Sequence, residues 1–399
     1  MKITFLLTQD IESPSGLGRY YPLAKGLVRC GHTVTIIALH PDYDNLSEKR
    51  FSREGVAVWY VSQSHVRKFG SSKTYFSPIR LLWITLRGTW SLTKAALSSR
   101  SDLIHIGKPH PMNSLAARLT KLIQHKIIYL DCDDYEAASG KFSGRWQKSI
   151  VSWFEKWTPT WVDWITTNTI FTRDLLCRWG TPAEHITYIP NGFDSDRFKM
   201  QELARIGDLQ NRLGTEGKRI ILYIGSMSLA SHPVDLLVTA FRIVHSNYPG
   251  SLLLIVGGGE DLDSLQDLVH RLELQDDVIF TGRINPEQVV MYYHLGDVSV
   301  DPVNDDDQAK SRSPLKLFES WAAGVPFVTA AVGDRTALLG SPQAGVLANP
   351  GDPESLASAI LSILNNPENA KNLSRLGLER VGEYDWYRLA EKLDQTYPK

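Results

Sequence analysis

Short apolar runs rich in β-branched residues alternate with longer amphipathic stretches through nearly the whole chain. This alternation is typical of βαβ units, in which parallel strands lie buried between layers of helices. The predicted strands of the first half are ITFLLT, TVTIIAL, VAVWYV, DLIHIG, KIIYLD, WITTN and ITYIPN. A second series comprises RIILYIG, SLLLIVGGG, DVIFTG, VSVDPV, PFVTAAV and GVLANP. The pattern predicts an α/β protein with two doubly wound parallel sheets.

A polar segment, KMQELARIGDLQNRLGTEGK, separates the two series of strands. At 399 residues, the chain also exceeds the length at which one hydrophobic core usually stops growing. We predict an N-terminal domain over 1–198, a linker over 199–217, a C-terminal domain over 218–382 and a final helix over 383–399 that packs back on the N-terminal domain. Open parallel sheets bind ligands beyond the carboxyl ends of their strands, so we expect the two domains to share a cleft.

The charge of the chain is nearly balanced, with 43 Lys and Arg against 44 Asp and Glu. No overall field attracts nucleic acid, so no such partner is expected. Cys30, Cys132 and Cys177 lack metal-ligand spacing and are too few for a disulfide framework. No apolar run approaches the roughly 20 residues that cross a bilayer, and the first apolar run is too short for a signal peptide. We expect a cytoplasmic protein, in contact with the inner face of the membrane only peripherally.

The segment SPLKLFESWAAGVP predicts a short helix with well-defined ends. We expect Ser313 to cap it, Pro314 to be its first residue and Gly324 to take the left-handed conformation that ends it. Because the segment follows the predicted strand VSVDPV, the N-terminus of the helix should lie at the ligand-binding edge of the sheet and attract an anion.

Two charged side chains belong to this helix, Lys316 in its first turn and Glu319 one turn further on. Lys316 is unfavourable beside the positive end of the helix dipole unless an anion binds there. Glu319 is placed to accept hydrogen bonds from a ribose diol. The alternative is that the two side chains form a surface ion pair worth roughly a few tenths of a kcal/mol.

The same helix resembles the nucleotide-binding helix of the retaining glycosyltransferases of family 4, which have the GT-B fold. Five further stretches are similar to segments of that family and follow in its order: SGLGRYYPLAKGLVRCGHTVTIIAL, IPNGFD, YIGSMSLASHPVDLLVTAF, LLLIVGGGE and VIFTGRI. The resemblance implies two Rossmann-like domains that face each other across a cleft. It also implies transfer of a sugar from a nucleotide-sugar donor, such as a UDP- or GDP-sugar, with retention of anomeric configuration and without an obligatory metal or other cofactor.

The resemblance also assigns roles to individual residues of the C-terminal half. Glu319 matches the second glutamate of the family's Glu-x7-Glu motif and would hold the ribose hydroxyls. Ser311 stands where the family has the first glutamate, which normally contacts the donor sugar. Ser226 and His232 stand where the family has the arginine and lysine that neutralise the diphosphate. These departures leave the donor sugar and base unassigned.

A diphosphate leaving group needs cations or aimed N–H groups in a partly dehydrated site. We expect Lys316 and the backbone N–H groups in the first turn of its helix to supply them. By resemblance, the backbone around Arg283 would lie beside the nucleotide base. The predicted donor-binding residues are Glu319, Lys316, Leu315, Ser313, Gly225, His232, Arg283, Gly258 and Gly16.

Polar side chains crowd the ends of two predicted strands in the first half. DLIHIGKPHP places His110 after one strand, whereas His105 within that strand is expected to be a core residue. YLDCDDYEAASG places Asp131, Asp133 and Asp134 at the end of the other strand, where like charges raise one another's pKa unless they are paired or solvated. Many members of the family that the chain resembles have a histidine near this position, so the resemblance implies that Asp133, or Asp134 in its place, orients or deprotonates an acceptor hydroxyl. We also predict that His110 contacts the acceptor or the donor. A capped turn of solvated carboxylates is the alternative, and no metal is predicted although three carboxylates resemble a divalent-metal site.

Tryptophans are concentrated in two segments of the first half. Trp146, Trp153 and Trp157 follow one another at i, i+7 and i+11, which is one stripe of a helix. The same segment continues to Trp161 and Trp164, and the upstream segment RLLWITLRGTW adds two more. Such stripes usually pack into a core, but Trp beside Lys and Arg also suits a membrane interface. Both interpretations, core packing and a lipid-facing acceptor surface, remain open at this point.

We therefore predict a GT-B hexosyltransferase that binds a saccharide or lipid-linked acceptor and acts in polysaccharide or glycolipid synthesis. A nucleotide-sugar epimerase on the same fold and a non-catalytic sugar-nucleotide-binding protein are the alternatives. A dinucleotide-dependent oxidoreductase is disfavoured, because Tyr21 stands where the third glycine of Gly-x-Gly-x-x-Gly would be required.

Overall fold

The structure is a computed structural model, which describes residues 1–69, 72–139, 142, 144–198 and 205–398. The chain forms two compact units. The N-terminal unit comprises Met1–Asn191, Ser311–Ser313 and Trp386–Lys399, and the C-terminal unit comprises Gly192–Lys310 and Pro314–Asp385.

The N-terminal unit alternates strands and helices. Its strands are β1 (Lys2–Leu7), β2 (Thr33–His40), β3 (Arg50–Arg53), β4 (Val56–Gln63), β5 (Val66–Phe69), β6 (Ser72–Tyr75), β7 (Leu103–Gly107), β8 (Ile127–Cys132), β9 (Trp164–Thr167) and β10 (Ile186–Tyr188). Its helices are α1 (Tyr21–Arg29), α2 (Pro78–Ser98), α3 (Pro111–Gln124), α4 (Glu136–Ser139), α5 (Arg145–Trp157), α6 (Ile170–Arg178) and, at the end of the chain, α16 (Trp386–Asp394).

Within the described residues, a sheet of eight strands forms the centre of this unit, in the order β10-β9-β8-β7-β1-β2-β4-β3. Neighbouring strands are parallel except β3 and β4, which are antiparallel. The apolar side chains of β1 alternate between two clusters, one shared with α1 and α16 and the other with α2 and α3. Helices therefore cover both faces of the central strands, which explains their nearly continuous apolar sequences.

The C-terminal unit repeats the same plan. Its strands are β11 (Arg219–Ile224), β12 (Ser251–Val256), β13 (Val278–Phe280), β14 (Val298–Val300), β15 (Phe327–Ala330) and β16 (Val346–Ala348). Its helices are α7 (Ile206–Leu213), α8 (Val234–Asn247), α9 (Leu262–Arg271), α10 (Val289–Tyr293), α11 (Asp307–Lys310), α12 (Leu315–Ala322), α13 (Arg335–Leu339), α14 (Pro353–Leu364) and α15 (Pro367–Val381). The described strands form one parallel sheet in the order β13-β12-β11-β14-β15-β16. The prediction of two α/β units with parallel sheets is confirmed.

The division between the units differs from the predicted boundary. It falls between Asn191 and Gly192, inside the IPNGFD segment, rather than after residue 198. Residues 199–204 of the predicted linker lie outside the described residues, but the following residues form α7. Leu209 of α7 is buried in an apolar cluster with β11 and β12, so this part of the predicted linker belongs to the C-terminal unit. The polar sequence reflects the solvent-facing side of an amphipathic helix.

The last residues of the chain return to the N-terminal unit. Leu389 and Leu393 of α16 are buried in the cluster that contains β1 and α1. His105 in β7 is fully buried, stacks on Phe5 and lies 2.6 Å through Nε2 from the hydroxyl oxygen of Tyr397. Burial lowers the pKa of His105 to about 3, so this residue is a neutral part of the core, as predicted.

Candidate functional site

In the N-terminal unit, the candidate catalytic residues lie beyond the carboxyl ends of the neighbouring strands β7 and β8. Lys108 follows β7 directly and has a φ of 67°, an uncommon conformation for a residue with a Cβ. Its backbone N–H donates to the carbonyl of Asp131 at 2.9 Å, and its own carbonyl accepts from Asn113 Nδ2 at 3.0 Å. These two bonds hold the unusual turn, which brings the lysine side chain to the residues that follow β8.

Lys108 contacts three carboxylates, Asp133, Asp134 and Glu136, which together form the acidic cluster. The Nζ atom lies 3.1 Å from Asp133 Oδ1, 3.0 Å from Asp134 Oδ2 and 2.7 Å from Glu136 Oε1. Lys108, Asp133 and Glu136 are buried, and Asp134 is half-buried. The alternative of a turn with solvated carboxylates is therefore wrong.

The carboxyl groups of this cluster differ in pKa. Burial raises the pKa of Asp133 to about 7; Lys108 opposes this shift, and the charges of Asp134 and Glu136 add to it. Burial acts in the same direction on Glu136, but the charge of Lys108 and the hydrogen bond with His110 outweigh it and hold the pKa of Glu136 well below its usual range. Asp133 is thus the carboxyl group that gains and loses a proton near neutral pH, which suits a general base.

His110 is the residue immediately before α3 and lies at the edge of the acidic cluster. Its Nε2 atom is 3.3 Å from Glu136 Oε2, and its ring faces that of His65 with centroids 6.1 Å apart. The structure therefore brings His110, Asp133 and Asp134 together, as the sequence predicted for one site. Whether they act on an acceptor stays a prediction.

Asp133, Asp134 and Glu136 have the spacing of a possible metal site, because one oxygen from each lies within 4.8 Å of the others. This set differs from the predicted trio, in which Asp131 stood in place of Glu136; Asp131 pairs with Arg19 instead. However, the ammonium group of Lys108 contacts all three carboxylates of the acidic cluster and lies where a cation would have to bind. The donor set therefore fits a buried lysine better than a metal ion.

Three residues that shape this region, Lys108, Glu136 and Glu155, were not predicted from the sequence. Glu155 on α5 accepts hydrogen bonds from the backbone N–H groups of Glu136 and Ala137, at the start of α4. Burial and the charge of Glu136 raise the pKa of Glu155 to about 8. Glu136 could have been found, because it belongs to the same YLDCDDYE run as the aspartates; Glu155 lies on a distant helix and gives no such signal.

Arg19 was also not predicted from the sequence, and it pairs with Asp131, the second-last residue of β8. Its Nε and Nη2 atoms each donate to Asp131 at 2.6 Å, and Thr166 Oγ1 donates to the same carboxylate. Arg19 Nη1 donates to the carbonyl of Ile189 and to Asn191 Oδ1. This buried bidentate pair ties the first helical segment to the strand end, and it keeps Asp131 out of the acidic cluster.

Gly16 begins a short π-helical segment, Gly16–Tyr20, that precedes α1. A Cβ at this position would lie 2.4 Å from the carbonyl oxygen of Asp10, so only glycine fits here. The close approach of the Asp10 carbonyl therefore explains why residue 16 is a glycine. Its role in donor binding stays a prediction.

In the C-terminal unit, helix α12 begins one residue later than predicted, at Leu315, with Pro314 in the cap position. The predicted cap by Ser313 is wrong, because no side chain caps the helix and Ser313 belongs to the other unit. There, Ser313 Oγ accepts a hydrogen bond from the backbone N–H of Asn191 at 3.0 Å. The first N–H groups of α12, including that of Leu315, have no acceptor within the helix, as at any helix start.

Lys316, in the first turn of α12, contacts the side chain of Asp301 at the end of β14. Its Nζ atom donates to Asp301 Oδ1 at 3.0 Å, and Arg335 Nη2 donates to Asp301 Oδ2 at 3.0 Å. Burial alone would raise the pKa of Asp301, but Lys316, Arg335 and His232 hold it far below its usual range. Two cations thus share one buried carboxylate, which leaves net positive charge beside the start of α12.

Glu319, one turn further along α12, is buried and already bound within its own unit. Arg197 Nη1 donates to its Oε1 at 3.2 Å, and the hydroxyl of Tyr293 donates to its Oε2 at 3.1 Å. The alternative of a surface ion pair between Lys316 and Glu319 is therefore wrong. Each carboxylate oxygen retains a second lone pair, so the group can still accept a hydroxyl.

The predicted glycines of this unit lie close to the cationic side chains. A Cβ on Gly225, after β11, would lie 2.9 Å from Lys316 Cε, and one on Gly258, after β12, would lie 2.8 Å from Arg283 Cγ. Lys316 Nζ also lies over the ring of Tyr223, 5.1 Å from its centroid. The structure therefore brings Gly225, His232 and Lys316 together around Asp301, and pairs Gly258 with the exposed Arg283.

The tryptophans of the N-terminal unit divide between the two interpretations. Trp157, Trp161 and Trp164 are half-buried, whereas Trp146 and Trp153 of the same segment are 50% and 54% exposed. Core packing is therefore wrong for the first part of the stripe. No helix in the described ranges is long and apolar enough to span a membrane.

Two parallel-sheet α/β units of this kind define the GT-B class, and comparison with solved structures supports the same fold. Sucrose-phosphate synthase from Thermosynechococcus elongatus superposes with a TM-score of 0.79 at 20% identity over 99% of this chain and 98% of that one. The Anabaena protein HepE in complex with UDP-glucose gives a TM-score of 0.73 at 18% identity over 99% of both chains.

Family models identify both units. The model for glycosyl transferases group 1 matches residues 207–380, and the model for Glycosyltransferase Family 4 matches residues 16–197. The chain belongs to this family of glycosyltransferases. A curated relative, the GDP-mannose-dependent alpha-(1-6)-phosphatidylinositol monomannoside mannosyltransferase of Mycobacterium tuberculosis, is 28% identical over 234 residues; the match covers 58% of this chain and 60% of that protein's length.

Proposed function

We propose that the protein is a retaining hexosyltransferase that moves a sugar from a nucleotide-diphosphate sugar to a hydroxyl acceptor. The C-terminal unit binds the donor, and the N-terminal unit binds the acceptor. Membership of the family supports the reaction class. The names of the mannosyltransferase and of the HepE complex, which mention GDP-mannose and UDP-glucose, support a nucleotide-sugar donor.

The observation that carries the proposal is the arrangement around Asp301. Lys316 and Arg335 place two positive charges on one buried carboxylate, and Lys316 lies in the first turn of α12, where backbone N–H groups are open to an anion. Glu319 follows one turn later with its oxygens held in position. A diphosphate at the helix start and a ribose diol at Glu319 satisfy both groups.

In the N-terminal unit, Asp133 is the proposed group that orients or deprotonates the acceptor hydroxyl, with His110 beside it. A pKa near 7 leaves a large fraction of Asp133 ionised at neutral pH and still basic enough to accept a proton. The reaction needs no metal ion in this proposal, because the ammonium group of Lys108 already contacts the three carboxylates that would otherwise bind one.

The acceptor is a saccharide or a lipid-linked sugar, and the pathway is polysaccharide or glycolipid synthesis. The phosphatidylinositol monomannoside acceptor in the name of the mannosyltransferase supports a lipid-linked acceptor. The exposed tryptophans of the N-terminal unit support peripheral contact with a membrane surface.

A thermal-shift titration with UDP, GDP, ADP and their sugar conjugates tests the donor site. We expect one nucleotide to raise the melting temperature of the wild type, because a ligand that binds only the native state stabilises it by mass action. Glu319→Ala should lose most of that shift, whereas Glu368→Ala, an exposed glutamate on α15, should keep it. If no nucleotide stabilises the wild type at concentrations of about 1 mM, the donor site is wrong.

Product analysis separates the proposed transferase from its two alternatives. A transferase releases the nucleotide diphosphate and forms a glycoside only when an acceptor is present. An epimerase converts the sugar in the absence of any acceptor, and a binding protein gives a thermal shift but no product. Either of the last two results contradicts the proposed reaction.

A further inference from the structure

The N-terminal unit exposes an unusual amount of apolar surface on three helices. Within the described residues, every exposed large hydrophobic side chain except Met1 and Leu378 lies on α2, α3 or α5. The side chains are Ile79, Leu82, Trp83, Leu86 and Trp90 on α2, Leu115, Leu119, Leu122 and Ile123 on α3, and Trp146, Ile150 and Trp153 on α5. We call these residues the apolar face.

Each helix contributes one stripe to the apolar face. The exposed positions of α2 follow the spacing i, i+3, i+4, i+7 and i+11, while its buried positions, such as Ile84, Gly88 and Leu92, point into the unit. Helix α2 therefore has an apolar side toward the core and a second apolar side toward solvent. Since α2 packs against α3 and α3 packs against α5, the three stripes lie on neighbouring helices. A patch of this kind marks an interaction site rather than scattered surface residues.

The charged side chains of the segment that contains α2 and α3 are almost all basic. Residues 55–130, which contain α2 and α3, hold eleven Lys and Arg but a single carboxylate, Asp102, although the whole chain is nearly neutral. Arg80, Arg87 and Lys94 are exposed on α2, and neither α2 nor α3 contains an Asp or Glu. The excess of positive charge is therefore local to the helices that expose apolar side chains.

A cavity of about 220 Å³ lies at the start of α2, beside the apolar stripe. Three arginines, Arg67, Arg80 and Arg87, line it, together with Trp83 and one carboxylate, Asp44. Arg67 and Arg80 both lie near the ring of Phe76, at 5.8 and 5.1 Å from its centroid. The cavity therefore combines three arginines with the aromatic side chains Phe76 and Trp83, which suits a phosphate group attached to an apolar chain.

We propose that α2, α3 and α5 form a docking surface for an anionic lipid bilayer, and that the arginine-lined cavity receives the phosphate of a lipid headgroup. Trp, Leu and Ile enter the boundary between headgroups and acyl chains, while Arg and Lys contact the negative surface. Charge complementarity selects this occupant, because the excess of Lys and Arg beside the apolar side chains matches the negative surface of an anionic bilayer. The inference specifies the membrane contact of the proposed function, but it does not depend on sugar transfer.

Sedimentation with vesicles tests the surface directly. We expect the full-length protein to bind vesicles of phosphatidylcholine mixed with phosphatidylglycerol, and to bind pure phosphatidylcholine vesicles much more weakly. Arg80→Gln with Arg87→Gln should lower the partition coefficient roughly tenfold or more at about 0.1 M salt. Trp83→Ser with Trp90→Ser should lower it as well, and this loss should persist at high salt because it removes apolar burial.

Matched variants outside the surface serve as controls. Lys371→Gln removes an exposed charge on α15, and Leu378→Ser removes an exposed apolar side chain on the same helix, so neither should change vesicle binding. Absence of binding to the mixed vesicles overturns the proposal. So does concentration-dependent dimerisation that Trp83→Ser with Trp90→Ser abolishes, since a second copy would then cover the apolar face. Sugar transfer to a soluble acceptor, measured in parallel, shows independently whether the proposed activity holds.

Discussion

The ammonium group of Lys316 lies 3.0 Å from the carboxylate of Asp301, and the guanidinium group of Arg335 binds the other oxygen of the same carboxylate. All three groups are largely buried. One anion thus holds two cations in place before any ligand arrives, so a diphosphate meets positive charge that is already oriented. Asp301 is therefore the counter-ion of both Lys316 and Arg335.

Asp301→Asn should therefore destabilise the protein, because it leaves two buried cations without a counter-ion. We expect the free energy of unfolding in urea to fall by about 3 kcal/mol. Pyrophosphate should recover part of this loss and should stabilise the variant more than the wild type. Asp267→Asn, at an exposed position of α9, is the matched control and should change neither quantity. Equal stabilisation of the variant and the wild type by pyrophosphate would show that the anion does not bind these cations.

Gly225→Ala should weaken donor binding through Lys316. The new methyl group would lie 2.9 Å from Lys316 Cε, so the lysine side chain has to move away from its observed position. We expect the KM for the donor to rise roughly tenfold, with a similar rise in Lys316→Met. In the double variant the two effects should not add, because both remove the same interaction. Additive effects would mean that Gly225 acts independently of the lysine.

The sequence predicts the fold well because apolar periodicity marks buried parallel strands. Each of the thirteen predicted strands is present, and the positive φ of Gly324 ends α12 as its sequence indicates. Strands β3, β5 and β6 were not predicted, because RFSR, VRKF and SKTY are short and have no apolar run. The start of α12 was displaced by one residue, since the expected cap, Ser313, bonds to Asn191 instead.

The candidate site could be predicted only where its residues lie close together in sequence. Lys316 and Glu319 stand out on one short helix, and Asp133 and Asp134 stand out in one acidic run. The residues that bind these side chains do not stand out in the sequence, because the strand ends bring together residues from distant segments. Arg197 lies 122 positions from Glu319, and Arg335 lies 34 positions from Asp301. Nothing in local periodicity marks an arginine as the partner of a carboxylate so far along the chain.

Asp133→Asn should abolish most of the transferase activity if Asp133 acts as the base. We expect kcat to fall by a factor of about 10² to 10⁴, whereas Asp134→Asn should have a much smaller effect. Since the base works in its ionised form, wild-type activity should rise with pH through about 7, the pKa to which burial raises Asp133. Asp133→Asn should remove this rise from the pH profile of kcat. A profile that keeps its inflection in the variant would assign the titrating group to another residue.

Lys108→Met should destabilise the protein, because the carboxylates of the acidic cluster then repel one another. Without the ammonium group, three carboxylates lie within 4.8 Å of one another and have lost their shared cation. We expect the free energy of unfolding to fall by about 3 to 5 kcal/mol. Millimolar Ca²⁺ or Mg²⁺ should stabilise this variant but not the wild type, in which Lys108 takes the place of the metal. Lys94→Met, at an exposed position of α2, is the control. Loss of wild-type activity on treatment with EDTA would contradict this account of the cluster.

Glu155 should make the stability of the protein fall as the pH rises through the neutral range. Its pKa is raised from 4.5 to about 8 by burial and by the charge of Glu136, so the native state keeps a proton that the unfolded state has already released. Between these two values each added pH unit lowers the free energy of unfolding by at most about 1.4 kcal/mol. Asp133, with a pKa of about 7, contributes mainly in the lower part of the same range, so Glu155 makes the larger contribution from pH 7 to 8. Urea unfolding should show a decline there for the wild type and a flatter profile for Glu155→Gln, even if the variant is less stable throughout. Parallel profiles would mean that Glu155 is already ionised in the native protein.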